Sequence, residues 1–189
     1  MPRPRAQVQE SFKKLGVKKL DLIQVHNLGN LNTKLTVLKD LKQQGLIRYL
    51  GVTTTFPSQY SELLDCMRKE RLDFIGVDYA IDDREVEKRI LPLASDRGIA
   101  VMGYVPFGRS NLFSRVAGAG VPAWAQEAGM KSWPQFFLKF VISHPAITVV
   151  TPATSQPGHM LENLSGGVGP LPDEPMRRRM IGVIENPKA

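Results

Sequence analysis

The sequence predicts an α/β fold of five parallel strands with intervening helices. Three observations carry this expectation. Five short apolar, β-branched runs recur along the chain: Leu20–His26, Ile47–Thr53, Asp73–Tyr79, Ile99–Tyr104 and Ile147–Thr151. Their starts lie 27, 26, 26 and 48 residues apart, too far for hairpin partners, and the first four are each followed by a helical pattern. The runs are also nearly continuous in apolar character, as strands covered on both faces must be. Periodicity leaves a doubly wound open sheet and part of a barrel both open. No domain boundary is visible, so residues 1–189 read as one domain.

Each helix has its own signal. Met1–Arg5 leads into a polar, helix-like stretch. Thr33 is a candidate cap for a helix with Leu35, Leu38 and Leu41 on one stripe, and Gly45 suits the position after its end. Pro57 sits in a first-turn context ahead of Leu63, Leu64 and Met67. Asp82-Asp83-Arg84-Glu85 reads as a capped start, with Val86, Ile90 and Leu93 apolar and Gly98 at the end. Ser132-Trp133-Pro134-Gln135 opens a helix carrying Phe136, Phe137, Phe140 and Val141, an aromatic stripe that belongs in a core. The long fourth interval holds a Gly-, Ala- and Ser-rich stretch at 108–131 with a short helix around Ala123–Ala128. A long insertion after a strand's carboxyl end reads as a lid or cofactor loop. A short helix around Pro157–Leu164, a linker at Gly166–Pro172 and a basic terminal helix, 174–186, close the chain.

Composition excludes several classes. Apolar residues make up 42% and charged residues 23% of 189, close to the globular average. The single cysteine, Cys66, excludes a disulfide scaffold and reads as a small buried hydrophobe. No apolar run of about 18 residues exists to span a bilayer, and Met1–Arg5 leads into a polar stretch rather than a signal peptide. The net charge is +7, but the basic residues are scattered. The one tight run, Arg177-Arg178-Arg179, has no neighbouring aromatic residue in sequence, so nucleic acid is not expected as a partner.

Polar residues at strand ends are the informative ones. Period-two geometry puts Gln24 and His26 on one face, with His26 last in its strand and so at the strand's mouth. It could act as a donor in a site or be satisfied by a loop carbonyl. His144 ends a helix, where a cation suits the dipole; His159 lies in the helix after the last strand, whose start suits an anion. Tyr104, at the end of the fourth strand, could stack on an aromatic ring or pack in the core. Thr154 and Ser155, after the last strand, offer hydroxyls and free N–H groups at a helix start, which suit a phosphate or serve as ordinary caps. Asp82, Asp83, Glu85 and Glu87 read as a capped, solvated helix face. There is no GxGxxG, Walker loop, HExxH or metal-spaced Cys/His cluster.

Four segments in order resemble the aldo-keto reductases: SFKKLGVKKLDLIQVHN, LKQQGLIRYLGVTT, DDREVEKRILPLASDRGIAVMGYVPFGR and FVISHPAITVVTPATSQPGHMLENL. The loop and the Trp133–Phe140 helix are similar to a bacterial subgroup. The resemblance implies a partial (β/α)8 TIM barrel, the five strands standing for strands 4 to 8, with strands 1 to 3 absent. It also implies NAD(P)H-dependent oxidoreductase chemistry on a small-molecule carbonyl substrate, with NADPH the cofactor and NADH possible. In such enzymes hydride passes to the carbonyl while a tyrosine, tuned by a lysine, gives a proton. His26 matches the carbonyl-orienting histidine, whereas the tyrosine, lysine and aspartate would lie in the missing part. Losing a general acid costs about 10²- to 10⁴-fold in rate, so the chain is expected to be inactive or impaired. Tyr49, Tyr60 and Tyr79 are not obvious stand-ins for the missing tyrosine, and Tyr79, at the third strand's mouth, is the one candidate among them. The alternative is a non-catalytic cofactor-binding or self-associating module using open sheet edges. By the same resemblance Tyr104 stacks on the nicotinamide, and Val105, Pro106, Phe107, Gly108 and Arg109 match the loop across the pyrophosphate. Thr53 and Thr54 replace a Ser-Asn pair at the carboxamide, and Gly76 replaces a glutamine there. Ala153 and His159 replace a lysine and an arginine at the ribose 2′-phosphate, while Thr154, Glu162 and Asn163 are kept. The substrate stays open. The default location is the cytoplasm, with any export signal lying upstream of Met1.

Overall fold

A computed structural model describes residues 4–186. Met1–Arg3, part of the N-terminal stretch read for a signal peptide, lie outside the described residues. Five parallel strands and nine helices alternate among them. The strands are β1 (Leu20–Val25), β2 (Ile47–Thr54), β3 (Phe74–Asp78), β4 (Ala100–Tyr104) and β5 (Val149–Val150), in the sheet order β1-β2-β3-β4-β5. The helices are α1 (Pro4–Leu15), α2 (Leu31–Gln43), α3 (Tyr60–Lys69), α4 (Ile90–Asp96), α5 (Asn111–Arg115), α6 (Ala123–Glu127), α7 (Trp133–Ile142), α8 (Pro157–Ser165) and α9 (Glu174–Glu185). The described residues fall into two compact units, 4–76 with 93–100 and 77–92 with 101–186.

In the first unit β1 and β2 pair in parallel from Leu20 against Ile47 to Val25 against Val52. The chain enters β3 through Asp73. Its N–H donates to the Leu50 carbonyl at 3.0 Å, and its carboxylate accepts from the Leu50 N–H at 2.8 Å and from Lys42 Nζ at 2.6 Å. Gly51 sits where β2 comes closest to the β3 backbone. A Cβ there would overlap the Phe74 carbonyl oxygen and lie 3.0 Å from its carbon. The α2 stripe of Leu35, Leu38 and Leu41 is buried as expected, and Gly45 follows the helix at φ +70°. Cys66 is buried in α3, where desolvation pushes its thiol up to about 11, so it is an inert hydrophobe at neutral pH.

In the second unit β4 and β5 pair in parallel, Met102 against Val149 and Gly103 against Val150. Its core is built on α7, where Phe136, Phe137, Phe140 and Val141 are each fully buried. Ser132 caps this helix by accepting from the Gln135 N–H, the start that the sequence foretold.

Three local expectations are corrected. The strand ends at Val25, and His26 opens a 3-10 turn in which Asn27 and Leu28 adopt φ of 48° and 51°. α2 starts at Leu31 after Asn30 in the left-handed region, so Thr33 lies inside the first turn and is not the cap. The helix expected from Asp82 is a 3-10 turn at Glu85–Lys88, and α4 begins only at Ile90. Pro92 explains the break: it has no N–H for a bond back to Lys88, and the restart places it in a first turn where none is needed. Leu91 and Ala94 are then fully buried, and Leu93 is only partly covered.

Gly51→Ala should destabilise the chain by about 1–3 kcal/mol through forced backbone separation, read as a lower urea midpoint. Gly120→Ala, with open space around the added methyl, should leave the midpoint within experimental error.

Candidate functional site

In the first unit the expected site residues cluster at the carboxyl ends of β1 and β2. His26 is exposed. Beside it the Asn27 N–H donates to Thr53 Oγ1 at 3.2 Å. Thr54 is fully buried; its hydroxyl donates to Gln59 Oε1 at 2.5 Å and accepts from the Phe56 N–H at 3.1 Å. Gln59 Nε2 donates in turn to the Asn27 carbonyl at 3.2 Å. A hydroxyl has one proton to give, so the Thr54 hydroxyl, as folded, serves this local network. Asn27 Oδ1 is buried without a hydrogen-bond partner among the described residues.

The second unit holds the larger constellation. β4 ends at Tyr104 and the chain turns sharply: Val105, Gly108, Arg109 and Ser110 take φ of 53°, 54°, 52° and 72°. Non-glycine residues in this region cost of order 1–3 kcal/mol each and cluster where a site needs them. Gly108 is required twice over, by its own φ and because a Cβ would lie 2.9 Å from Asp82 Oδ2. Two adjoining concavities open beside the turn. One, about 440 Å³, is walled by Phe107 and Phe113 and edged by Thr154, His159, Glu162 and Asn163. The other, about 300 Å³, runs from Tyr104 to Ser110 against Thr151–Ala153. They share Phe107, Ser110 and Ala153, and the larger is of a size that suits a small-molecule ligand.

The polar edge is held in place from within. Glu162 accepts from the Ser132 hydroxyl and from Gln135 Nε2 at 2.9 Å, which fixes its carboxylate to the start of α7. Thr154 Oγ1 accepts from the Gln156 N–H at 3.1 Å, shaping the entry to α8. His159 is exposed on the first turn of α8. No Lys or Arg lines the larger cavity among the described residues. Ser155 is exposed and lines neither concavity. The 108–131 stretch is tied down: Trp133 Nε1 donates to the Ala119 carbonyl at 2.9 Å and Arg115 to the Ile184 carbonyl at 3.1 Å.

A buried network lies outside these concavities, and sequence reasoning missed it. Arg177, 5% exposed, donates to the Phe140 carbonyl, to Ser143 Oγ at 2.7 Å, to Tyr79 Oη at 2.7 Å and to Glu87 at 3.2 Å. Tyr79, fully buried, donates its own proton to Glu87. Burial and then the Glu87 carboxylate push this phenol far above its usual range. Tyr79 is therefore a core residue and not a stand-in acid. The arginine run is also corrected: Arg177 is an anchor and Arg179 lies over the Trp124 ring at 4.2 Å. The face shared by Arg177, Met180 and Ile184, all buried, was the signal available in the sequence. Glu87, read there as part of a solvated face, belongs to this network. His144 packs edge-on against Tyr79, and its Nδ1 accepts from the Ala146 N–H at 3.2 Å. That bond needs an unprotonated nitrogen, so His144 is neutral and not a cation on the helix end. Burial, then Arg177, hold its pKa below the usual value.

The sequence model of the aldo/keto reductase family matches residues 3–179. The chain belongs to the aldo/keto reductase family. Among curated relatives it is 30% identical over 128 residues to the NADH-specific methylglyoxal reductase of Escherichia coli K12, covering 65% of this chain and 38% of the relative. It is 26% identical over 167 residues to pyridoxine 4-dehydrogenase of the same organism, covering 84% and 56%. Among solved structures, a holo-form aldo-keto reductase of Bacillus halodurans superposes with a TM-score of 0.74 at 19% identity, over 96% of this chain and 66% of that one. An aldo-keto reductase of Klebsiella pneumoniae in complex with NADP and acetate gives 0.74 at 18% identity, over 96% and 64%. The chain thus spans 38% and 56% of the length of these two curated relatives. At such identities the structural likeness shows the fold.

The His144 geometry gives a pH prediction. A histidine whose folded pKa is depressed stabilises the fold fully above its unfolded value near 6.5. That contribution is lost as pH falls below it toward the folded value. The urea midpoint should fall between pH 7.5 and pH 5.5, and His144→Asn should flatten that slope.

Proposed function

We propose that this chain carries the cofactor-holding part of an NAD(P)H-dependent carbonyl reductase. The observation that supports it best is the strained Val105–Ser110 turn beside two adjoining concavities that together suit an extended dinucleotide. In this reading Tyr104 packs on the nicotinamide ring. Val105, Pro106, Phe107, Gly108 and Arg109 pass the pyrophosphate, with Arg109 supplying the charge. Phe107 and Phe113 face the adenine end, whose ribose meets Thr154, His159, Glu162 and Asn163. Ser155 contributes its backbone at the start of α8.

Bound NAD(P)H supplies the hydride. The residues of the second unit bind it and orient it. The one tyrosine weighed as a proton donor, Tyr79, is committed to Glu87 and Arg177. We therefore propose that these 189 residues bind the cofactor without turning it over. NADPH is the cofactor proposed first. NADH is the second reading, favoured by a larger cavity edged by Glu162 and, among the described residues, free of Lys and Arg.

Fluorescence titration of the purified chain tests this. NADPH or NADH emission should change saturably, and Tyr104→Ala should weaken binding at least about fivefold, a stacking contribution of about 1 kcal/mol. Adding an aldehyde should leave the 340 nm absorbance constant. Absence of binding by either cofactor contradicts the proposal; aldehyde-dependent oxidation abolished by His26→Ala contradicts the non-catalytic part of it.

A further inference from the structure

Asp78, the last residue of β3, carries no role in the site as drawn from the sequence. It is 8% exposed. Its Oδ2 accepts from Arg109 Nη2 at 2.9 Å, and its Oδ1 is buried with no hydrogen-bond partner among the described residues. Arg109 is on the strained turn with its side chain 64% exposed. It lines a small acidic cavity of about 220 Å³ containing Asp78, Asp82 and Asp83, and it also lines the cleft along Tyr104–Ser110. One guanidinium therefore stands between a buried carboxylate and the cleft proposed for the pyrophosphate.

We propose that Asp78 is the positioning residue for Arg109, and that a dinucleotide phosphate competes with Asp78 for this guanidinium, so that binding is coupled to proton uptake by Asp78. The inference rests on the cofactor reading above. The charged groups around Asp78 decide its response. Asp82 and Asp83 face it from the turn after β3 and Arg109 from the turn after β4; Arg115 of α5 is 3.6 Å from Asp82 and offsets that carboxylate. Burial already raises the Asp78 pKa, against the pull of Arg109. When Arg109 leaves, the buried carboxylate loses that bond and keeps Asp82 and Asp83 beside it, and it takes a proton from solvent. The guanidinium keeps all its protons and its charge, exchanging a carboxylate acceptor for a phosphate oxygen.

Calorimetric titration with NAD⁺ and NADP⁺ in two buffers of different protonation enthalpy, from pH 5.5 to pH 7.5, tests this. The wild-type chain should take up a fraction of a proton on binding and bind more tightly as pH falls, by less than about tenfold per pH unit. Asp78→Asn keeps an acceptor for Arg109 and should remove that share of the uptake. Protons taken up elsewhere on the protein or on the ligand are common to both proteins and cancel in the difference. Arg109→Gln should bind more weakly and also lose the uptake, since its Asp78 is without a competing cation from the start. Binding with equal uptake in wild type and Asp78→Asn overturns the inference alone. Binding of neither dinucleotide by a wild-type chain that melts cooperatively overturns the cofactor reading, and this inference with it.

Discussion

One buried cation holds the second unit together. The Arg177 guanidinium donates to the Phe140 carbonyl, the Ser143 hydroxyl, Tyr79 and Glu87, and it lies 4.2 Å from the centre of the Phe140 ring. Those partners come from α7 and the residue that follows it, from the residue after β3 and from the 3-10 turn at Glu85–Lys88. A buried charge is tolerated only when its hydrogen bonds are made, and losing one partner strands the rest. The cluster therefore fixes α9 on α7 and fixes the chain just beyond β3. Asp78 is the residue before Tyr79, so the same anchor sets where the acidic cavity lies beneath the turn.

The turn itself is a second constraint. Its positive-φ residues are costly alone and persist because neighbours over-determine them: Asp82 against Gly108, Asp78 on Arg109, and the Gly108 N–H on the Val105 carbonyl at 3.0 Å. Three carboxylates beneath an exposed arginine make a site that is electrostatically poised rather than saturated. The first unit is arranged differently. Around Thr54 and Gln59 the hydrogen bonds close on each other, so a ligand there must replace existing bonds instead of meeting free donors.

The strands were legible within one or two residues because β-branched apolar runs at regular spacing have few other structural readings. α7 and its Ser132 cap were legible for the same kind of reason, since cap, proline and aromatic stripe agree. What failed depended on single residues acting over distance. Pro92 moved a helix start that Asp82–Glu85 signalled locally. His26 left its strand because the chain enters the left-handed region at Asn27. Arg177 cannot be told from Arg178 by type; only its place on the face of Met180 and Ile184 separates them. Lys139, fully buried in an apolar helix and donating to the Val168 and Pro170 carbonyls at 2.6 and 2.9 Å, gave the same kind of signal. Asp78 had no sequence signal at all, because its meaning comes from Arg109, 31 residues away.

Hydrogen exchange in the presence and absence of saturating NADPH tests the central claim most directly. The account predicts that added protection concentrates in Tyr104–Ser110 and in Ala153–His159, where the chain borders the two concavities. Unchanged exchange in both segments, with protection elsewhere, would contradict it.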